Sequence, residues 1–424
     1  MNRIPSLFML TLTAILATAC AEDATPSAGD PATVTDSAGV RIVDLGDAPL
    51  DIIEQLTVAP EPDLVIRSRE DDASSVFSGV RDVEVLPQGR IAVANGSGNE
   101  ILVFDSSGER VAVWGGAGDG PGEFRSLELL AFLTPDSLAA GDRGLRRVTV
   151  LDAVGQYVRS FGTADAVDRA SNPIPPRPMG LLADGSVVGA VYSRPDPVEG
   201  AARPAVEIVA IAADGGSAYP VGTWPSDEVA MFEKDGFLEV TQAPFGRRLH
   251  IATASDGVWI ADDDRWEARK YSPGGELRMV VRSSASPGAV TEQLIEALLR
   301  ERYRDAVEGP ALEELKQDVR EIVRHTTAPS FGAIVGTADG GVAVAEFGLG
   351  TAARMWITVR PNGTAAVVEL PAGLDVKRWG PDWVVGIARD ELDREEIHRY
   401  RILAGAGPSS WRAPFRASQH ARSG

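Results

Sequence analysis

The sequence predicts an all-β chain, a six-bladed β-propeller of four-stranded blades with a helical insertion at about residues 291–325. A turn signal recurs six times between short apolar runs: Pro87-Gln88-Gly89, Pro135-Asp136-Ser137, Ala183-Asp184-Gly185, Ser255-Asp256-Gly257, Ala338-Asp339-Gly340 and Gly380-Pro381-Asp382. The first three recur every 48 residues, the length of one four-stranded blade. A second series interleaves with it: Asp105 to Gly108, Asp152 to Gly155, Asp214-Gly215, Ser272 to Gly275 and Arg360 to Gly363. Two hairpin turns per repeat mean four strands per repeat.

The chain opens with one positive charge, Arg3, and the apolar run Leu7 to Ala17, too short to span a membrane. That run ends in Ala17-Thr18-Ala19-Cys20, which carries the only cysteine of 424 residues, so no intramolecular disulfide is available. The segment resembles the lipobox of bacterial lipoproteins. The resemblance implies a signal peptide over 1–19, a lipidated Cys20 and an anchor in a membrane of the cell envelope. Ala17 stands where that family usually has Leu, and ordinary secretion with cleavage at the same bond is the alternative. Ala21 to Asp36, rich in Ala, Pro, Thr, Ser, Asp and Gly, reads as a flexible tether over 20–36. The propeller is expected over 37–405 and a tail over 406–424.

A hydrophobic fraction of 44% with 44 Gly and 28 Pro describes a turn-rich globular chain able to bury a core. The formal charge of −20 argues against nucleic-acid binding and against docking on anionic lipid through the body. A monomer is expected. Only four of the 41 cations are Lys, so the positive charge is almost all Arg.

Asn95 to Asp105, Gly108-Glu109, Trp114-Gly115 and Gly120-Pro-Gly-Glu-Phe124 resemble the NHL-type repeat and bacterial six-bladed propeller proteins. The likeness covers Gly79 to Gly162 well and later repeats faintly. It implies a fold rather than an activity, because propellers host binding, scaffolding and unrelated chemistries.

The second turn series stops at five, so the last blade lacks a strand. Leu64-Val-Ile66, followed by Phe77, mimics Val111 to Trp114 followed by Phe124. Leu64 to Ile66 is therefore expected to pair around Ile397 to Ile402 as the outer strand of the sixth blade, leaving no full sheet edge bare. Val40 to Asp44 reads as an extra strand nearby.

Within Thr291 to His325, apolar residues recur at three- to five-residue steps, which fits two amphipathic helices divided at Gly309-Pro310. Such a hairpin is either a lid or partner-binding hairpin over the channel mouth or a decoration on the propeller's side, and the side is the expectation. No G-x-S-x-G, H-E-x-x-H or phosphate-loop lysine occurs, so no catalytic residue is assigned. His250, His325, His398 and His420 are too scattered for zinc, and each reads as structural or solvated. Asp262-Asp263-Asp264 lacks the Gly and Glu of a calcium loop and reads as a solvated turn; no cofactor is assigned, with Ca the one considered.

Loops from the second to the third strand of each blade share a face with the connectors between blades. Asn95, Asp142, Asp262, Glu346 and Arg389 end the second strands there, and Arg81, Arg125, Arg177, Arg247 and Arg378 stand near the starts of innermost strands. Guanidinium forks around a channel mouth suit a carboxylate or phosphate, while blade-to-blade ion pairing is the structural alternative. The candidate ligand-binding set is Arg81, Arg125, Asn95, Asp142, Asp262 and Glu346. The chain is read as a binding or scaffold propeller for a peptide, protein, glycan or small anion. The alternatives are a hydrolase or lactonase resembling the gluconolactonase-like enzymes, with a divalent metal among Asn95, Asp142, Asp262 and Glu346, or a purely structural envelope component.

Overall fold

The computed structural model describes residues 33–47, 53–68, 78–134, 136–163, 176–193, 200–234, 237–303, 310–322, 325–349 and 352–404. The expected signal peptide, Cys20, Phe77, His420 and the tail over 406–424 lie outside the described residues.

Four strands precede the first repeat: β1 (Thr33–Ser37), β2 (Val40–Asp44), β3 (Glu54–Val58) and β4 (Leu64–Arg67). The first four-stranded antiparallel sheet is β5 (Val80–Val85), β6 (Ile91–Asn95), β7 (Glu100–Phe104) and β8 (Arg110–Gly115). The second is β9 (Leu127–Thr134), β10 (Ser137–Asp142), β11 (Arg147–Asp152) and β12 (Tyr157–Gly162). In the third, β13 (Arg177–Leu181) and β14 (Val187–Tyr192) are separated by β15 (Gly200–Ala202) from β16 (Ala205–Ile211) and β17 (Ala218–Pro225). β15 leaves that sheet and pairs instead with β18 (Val229–Lys234), which pairs with β19 (Phe237–Gln242).

The fourth sheet holds β20 (Leu249–Ala254), β21 (Gly257–Asp262), β22 (Glu267–Tyr271) and β23 (Leu277–Arg282). Helices α1 (Glu292–Tyr303) and α2 (Pro310–Ile322) come next. The fifth sheet is β24 (Ala333–Gly336), β25 (Val342–Ala345), β26 (Arg354–Val359) and β27 (Ala365–Leu370). The sixth begins with β28 (Asp375–Trp379), β29 (Trp383–Arg389) and β30 (Glu395–Ala404).

Each turn of the first series joins a first strand to a second, and each turn of the second series joins a third to a fourth. Their chemistry sets the geometry: Gly155 takes φ +82°, and a Cβ there would come within 2.1 Å of the Trp114 ring, so both the turn and the indole packed on it require glycine. The innermost strands touch in the order β5, β9, β13, β20, β24, β28 and back to β5. Radial four-stranded sheets around such a ring are a β-propeller.

The sixth sheet takes its outer strand from the N-terminal side, as expected. β4 lies antiparallel to β30, with Leu64, Val65 and Ile66 opposite Arg399, His398 and Ile397. Two further strands cover neighbouring edges: β2 adds in parallel to β23, and β3 adds in parallel to β27 while also meeting the end of β30. Strand β1 pairs with β2, so the last part of the expected tether is strand from Thr33 onward, because its Thr and Val residues extend the fourth sheet by a hairpin.

The core lies between neighbouring sheets and follows the period of two. Ile91 and Val93 of β6 face the sixth sheet, where they meet Ile66, Val385 and Ile397. Ala92 and Ala94 face the second sheet, packing with Phe124, Leu138 and Leu151.

The helices form where expected, with Pro310 at the first position of α2. Their placement corrects the expectation of a side decoration. Ile295, Leu299 and Val319 pack on Phe245, just before β20, and on Phe347 and Leu349, just after β25. Those residues belong to the connector face, so the hairpin roofs the fourth- and fifth-sheet part of that face. The apolar stripe decides this, because the exposed aromatic surface it must cover lies on those loops. No helix among the described residues is long and apolar enough to cross a membrane.

Candidate anion site at the channel mouth

Second strands end, and innermost strands begin, on one face, and most of the acids expected to bind a ligand there hold backbone instead. A connector reaching an innermost strand brings unpaired N–H groups, and burial requires acceptors for them. Asn95 Oδ1 accepts from the Ser78 N–H at 3.1 Å, while its Nδ2 donates to Glu100. Asp142 is fully buried and accepts from the N–H groups of Arg125 at 2.6 Å, Ser126 at 3.2 Å and Leu145 at 2.8 Å. In the fourth sheet the corresponding clamp is Asp263, which takes the Arg248 N–H at 2.8 Å and lies 3.1 Å from His250 Nε2.

The Asp262 to Asp264 run does form a turn with Asp264 exposed, but Asp263 is buried and the carboxylates are engaged. Asp262 pairs with Arg203 at 2.9 Å and Asp264 with Arg247 at 3.1 Å, so a cation or backbone donor serves each carboxylate. Three of the four candidate metal donors, Asn95, Asp142 and Asp262, are spent on the protein itself. Among the described residues no group of three or more His, Cys, Asp or Glu is placed to hold a metal ion. To bind calcium, Asn95, Asp142 and Asp262 would each have to give up these partners.

Histidines follow the same structural pattern. His325 Nε2 lies 2.7 Å from Glu228, which also accepts from the Arg247 N–H, and His398 Nε2 lies 2.7 Å from Glu396. The first of these ties the segment after α2 to the link between β17 and β18.

The five arginines separate into two kinds. Arg378 is no strand-start residue: it is fourth in β28, and all five of its N–H donors are engaged. Nε donates to Glu84 at 2.8 Å, and the two terminal nitrogens donate to Asp82 at 3.0 Å each, to Lys377 O at 2.8 Å and to Leu130 O at 2.7 Å. Asp82 also accepts from the Leu130 N–H at 2.8 Å, so this cluster clasps the sixth, first and second sheets together and satisfies the bare edge of β9. Burial raises the Glu84 carboxyl above the ordinary range, and Arg378 only partly offsets that rise. Arg247 is buried and donates to Asp264 and to both the carbonyl and the hydroxyl of Thr327. Blade-to-blade ion pairing therefore holds for Arg378, while Arg247 pairs within the fourth sheet and reaches the connector before β24 through Thr327.

Arg81, Arg125 and Arg177 behave differently. They stand at the starts of β5, β9 and β13, on three consecutive sheets, and all three are exposed. Arg125 pairs with Asp119, with both side chains more than half exposed. Arg81 lies along Gly96, and neither it nor Arg177 has a carboxylate partner among the described residues. Arg177 acts electrostatically on Tyr192, whose phenol is raised first by burial and then by Asp227. Two arginines of the β10–β11 loop add to this sector: Arg143 pairs with Glu128 at 3.1 Å, and Arg146 is exposed.

Across the mouth, Glu346 is solvent-exposed yet crowded enough that desolvation raises its carboxyl, and its side chain has no hydrogen-bond partner among the described residues. Arg389 is occupied by Glu395 at 3.0 Å and the Asp393 carbonyl. The mouth thus has a roofed half over the fourth and fifth sheets and an arginine-rich half over the first three.

Sequence reasoning missed Asp82, Glu84, Asp263, Glu228, Arg143 and Arg146. Asp82 and Glu84 had a signal, two acids alternating in an otherwise apolar innermost strand. The others depend on pairing across loops, which one chain's spacing does not encode.

No protein-family model and no curated protein matches the sequence. Three solved structures match at low identity. A protein described as exported, from Bacteroides fragilis, matches at 12% identity and TM-score 0.47, covering 85% of this chain and 99% of its own. A virginiamycin B lyase from Staphylococcus aureus matches at 11% identity and TM-score 0.38, covering 80% and 98%. A gluconolactonase from Xanthomonas campestris matches at 13% identity and TM-score 0.36, covering 89% and 96%. These likenesses assign the chain no activity.

Proposed function

We propose that the protein is an exported binding module, a closed six-bladed propeller lipid-anchored through Cys20, whose arginine-bearing half-mouth takes an anionic ligand. The observation that carries the reading is that Arg81 and Arg177 are exposed and without carboxylate partners among the described residues, in a chain of formal charge −20. In so acidic a protein an arginine unpaired at a mouth forgoes an available neutralising partner, whereas Arg247 and Arg378 are both neutralised. A guanidinium fork offers a carboxylate two parallel hydrogen bonds, each stronger than a neutral one. Asn95 and Asp142 support the site from behind by fixing the backbone of the strand starts; they are positioning residues rather than ligand contacts. The blade count is read from the cyclic contacts of six innermost strands, β5, β9, β13, β20, β24 and β28.

The test is calorimetric titration with citrate, galacturonate and neutral galactose, comparing wild type with Arg81→Ala and Arg177→Ala. The anions should bind, galactose should not, and each variant should lose about tenfold in affinity with an unchanged melting temperature. Equal binding by wild type and both variants, or no anion binding at all, rejects the site.

A further inference from the structure

We infer that the ligand of the arginine-bearing half-mouth is a linear carboxylated polysaccharide, a polyuronate, rather than a single small anion or an acidic peptide; this rests on the anion-binding reading above. Three features of the half-mouth carry it.

The forks are spread rather than gathered. Arg81, Arg125 and Arg177 come from three consecutive innermost strands, and Arg143 and Arg146 come from the loop ending the second strand of the middle sheet. The two that have acids, Arg125 with Asp119 and Arg143 with Glu128, hold them in partly exposed pairs that a competing carboxylate can replace at little cost. A ligand with one or two carboxylates would engage only a fraction of these groups. A chain bearing a carboxylate on every unit can engage them in succession, each contact raising the effective concentration of the next.

The cations are arginines throughout, with no lysine among them. The planar fork matches the geometry of a carboxylate, whereas a lysine would act as a point charge. Weak hydration of the guanidinium also lets it lie flat against a sugar ring.

Several main-chain groups that the described residues place at the mouth are already taken, which disfavours a peptide. Extended peptides gain affinity by pairing their backbone with a free strand edge. Here the N–H and C=O of Leu130, on the channel edge of β9, are used by Asp82 and Arg378. The N–H groups of Ser78, Arg125, Ser126 and Leu145 are used by Asn95 and Asp142. What the half-mouth offers is guanidinium donors, which a polyuronate satisfies without any backbone contribution.

The experiment titrates the full chain with galacturonate, digalacturonate and tetragalacturonate, and with tetraglutamate as the peptide of equal charge. The inference expects affinity to rise about 100-fold from monomer to tetramer, tetraglutamate to bind weakly, and the rise to vanish in the Arg81→Ala/Arg177→Ala double variant. Arg81→Lys, which keeps the charge but loses the fork, should recover only part of the lost affinity, and melting curves establish that all variants are folded. Equal affinity for monomer and tetramer overturns the polymer inference and leaves the anion site standing. Tetraglutamate binding as tightly as tetragalacturonate overturns it in favour of an acidic peptide. No binding of any probe, or binding unchanged in the double variant, overturns it together with the anion-binding reading.

Discussion

Replacing Arg378 with Met removes a guanidinium that spans three sheets and leaves a side chain of similar length. Asp82 and Glu84, with side chains 8% and 13% exposed, then lose their cation, and the Leu130 carbonyl loses a donor. Breaking a buried pair from one side costs about 3–5 kcal/mol, because the remaining charge stays desolvated. Arg378 is itself 26% exposed, so water screens part of that cost and the lower end, about 3 kcal/mol, is expected. Arg125→Ala is the control, since its pair with Asp119 is mostly exposed and should contribute about 0–1 kcal/mol. Denaturant unfolding at pH 7 should show a large midpoint loss for Arg378→Met at unchanged slope and almost none for Arg125→Ala. The pH dependence has a definite sign. Without Arg378 the buried Glu84 keeps the desolvation that raises its carboxyl and loses the cation that partly offsets it, so the penalty is present at neutral pH and lifts as pH falls through the raised folded value. In the wild type burial already raises Glu84, so its contribution is favourable below its unfolded value and is lost as pH rises through the folded one. The deficit of Arg378→Met should therefore shrink between pH 7 and pH 4. A loss below about 1 kcal/mol, or a deficit independent of pH, refutes the clasp.

Other positions give separate checks. Asp142→Ala leaves several buried N–H groups without an acceptor and should cost at least about 2 kcal/mol, read by denaturant melts. Ile66→Ala, in the strand that closes the sixth sheet, should cost about 2–5 kcal/mol, and deletion through residue 70 should expose a sheet edge and yield aggregates by light scattering. Glu346→Gln should raise the melting temperature at pH 7 and leave it unchanged at pH 4, where the native carboxyl is largely protonated. Metabolic labelling with a fatty-acid probe should tag the wild type and spare Cys20→Ser; equal labelling of both, or of neither, contradicts the anchor.

The propeller was legible in the sequence because its turns are punctuated locally: an Asp-Gly pair marks three of the first-to-second turns and Gly, Asp or Pro marks the others, and a missing turn pointed to Leu64–Ile66. The parallel additions of β2 and β3 were less legible, since a strand joining a sheet from far away in sequence carries no turn to announce it. The site was half legible. Residue type placed acids and arginines at the mouth, but type alone could not separate Asp142, which holds three backbone donors, from Glu346, which holds none. Nor could it separate Arg81 from Arg378, because pairing depends on which sheet lies opposite. The helical hairpin was read correctly by periodicity and misplaced, since periodicity gives the buried stripe and not the surface it covers.

The central claim is that the arginine-bearing half of the mouth is the binding surface. Amide hydrogen exchange of the wild-type chain, with and without tetragalacturonate, tests it without altering any residue. The account predicts added protection at the starts of β5, β9 and β13 and in the β10–β11 loop around Arg143 and Arg146, with α1, α2 and the β2–β3 region unchanged. Protection confined to the helical hairpin or to the outer strands, or no change at saturating ligand, would contradict it.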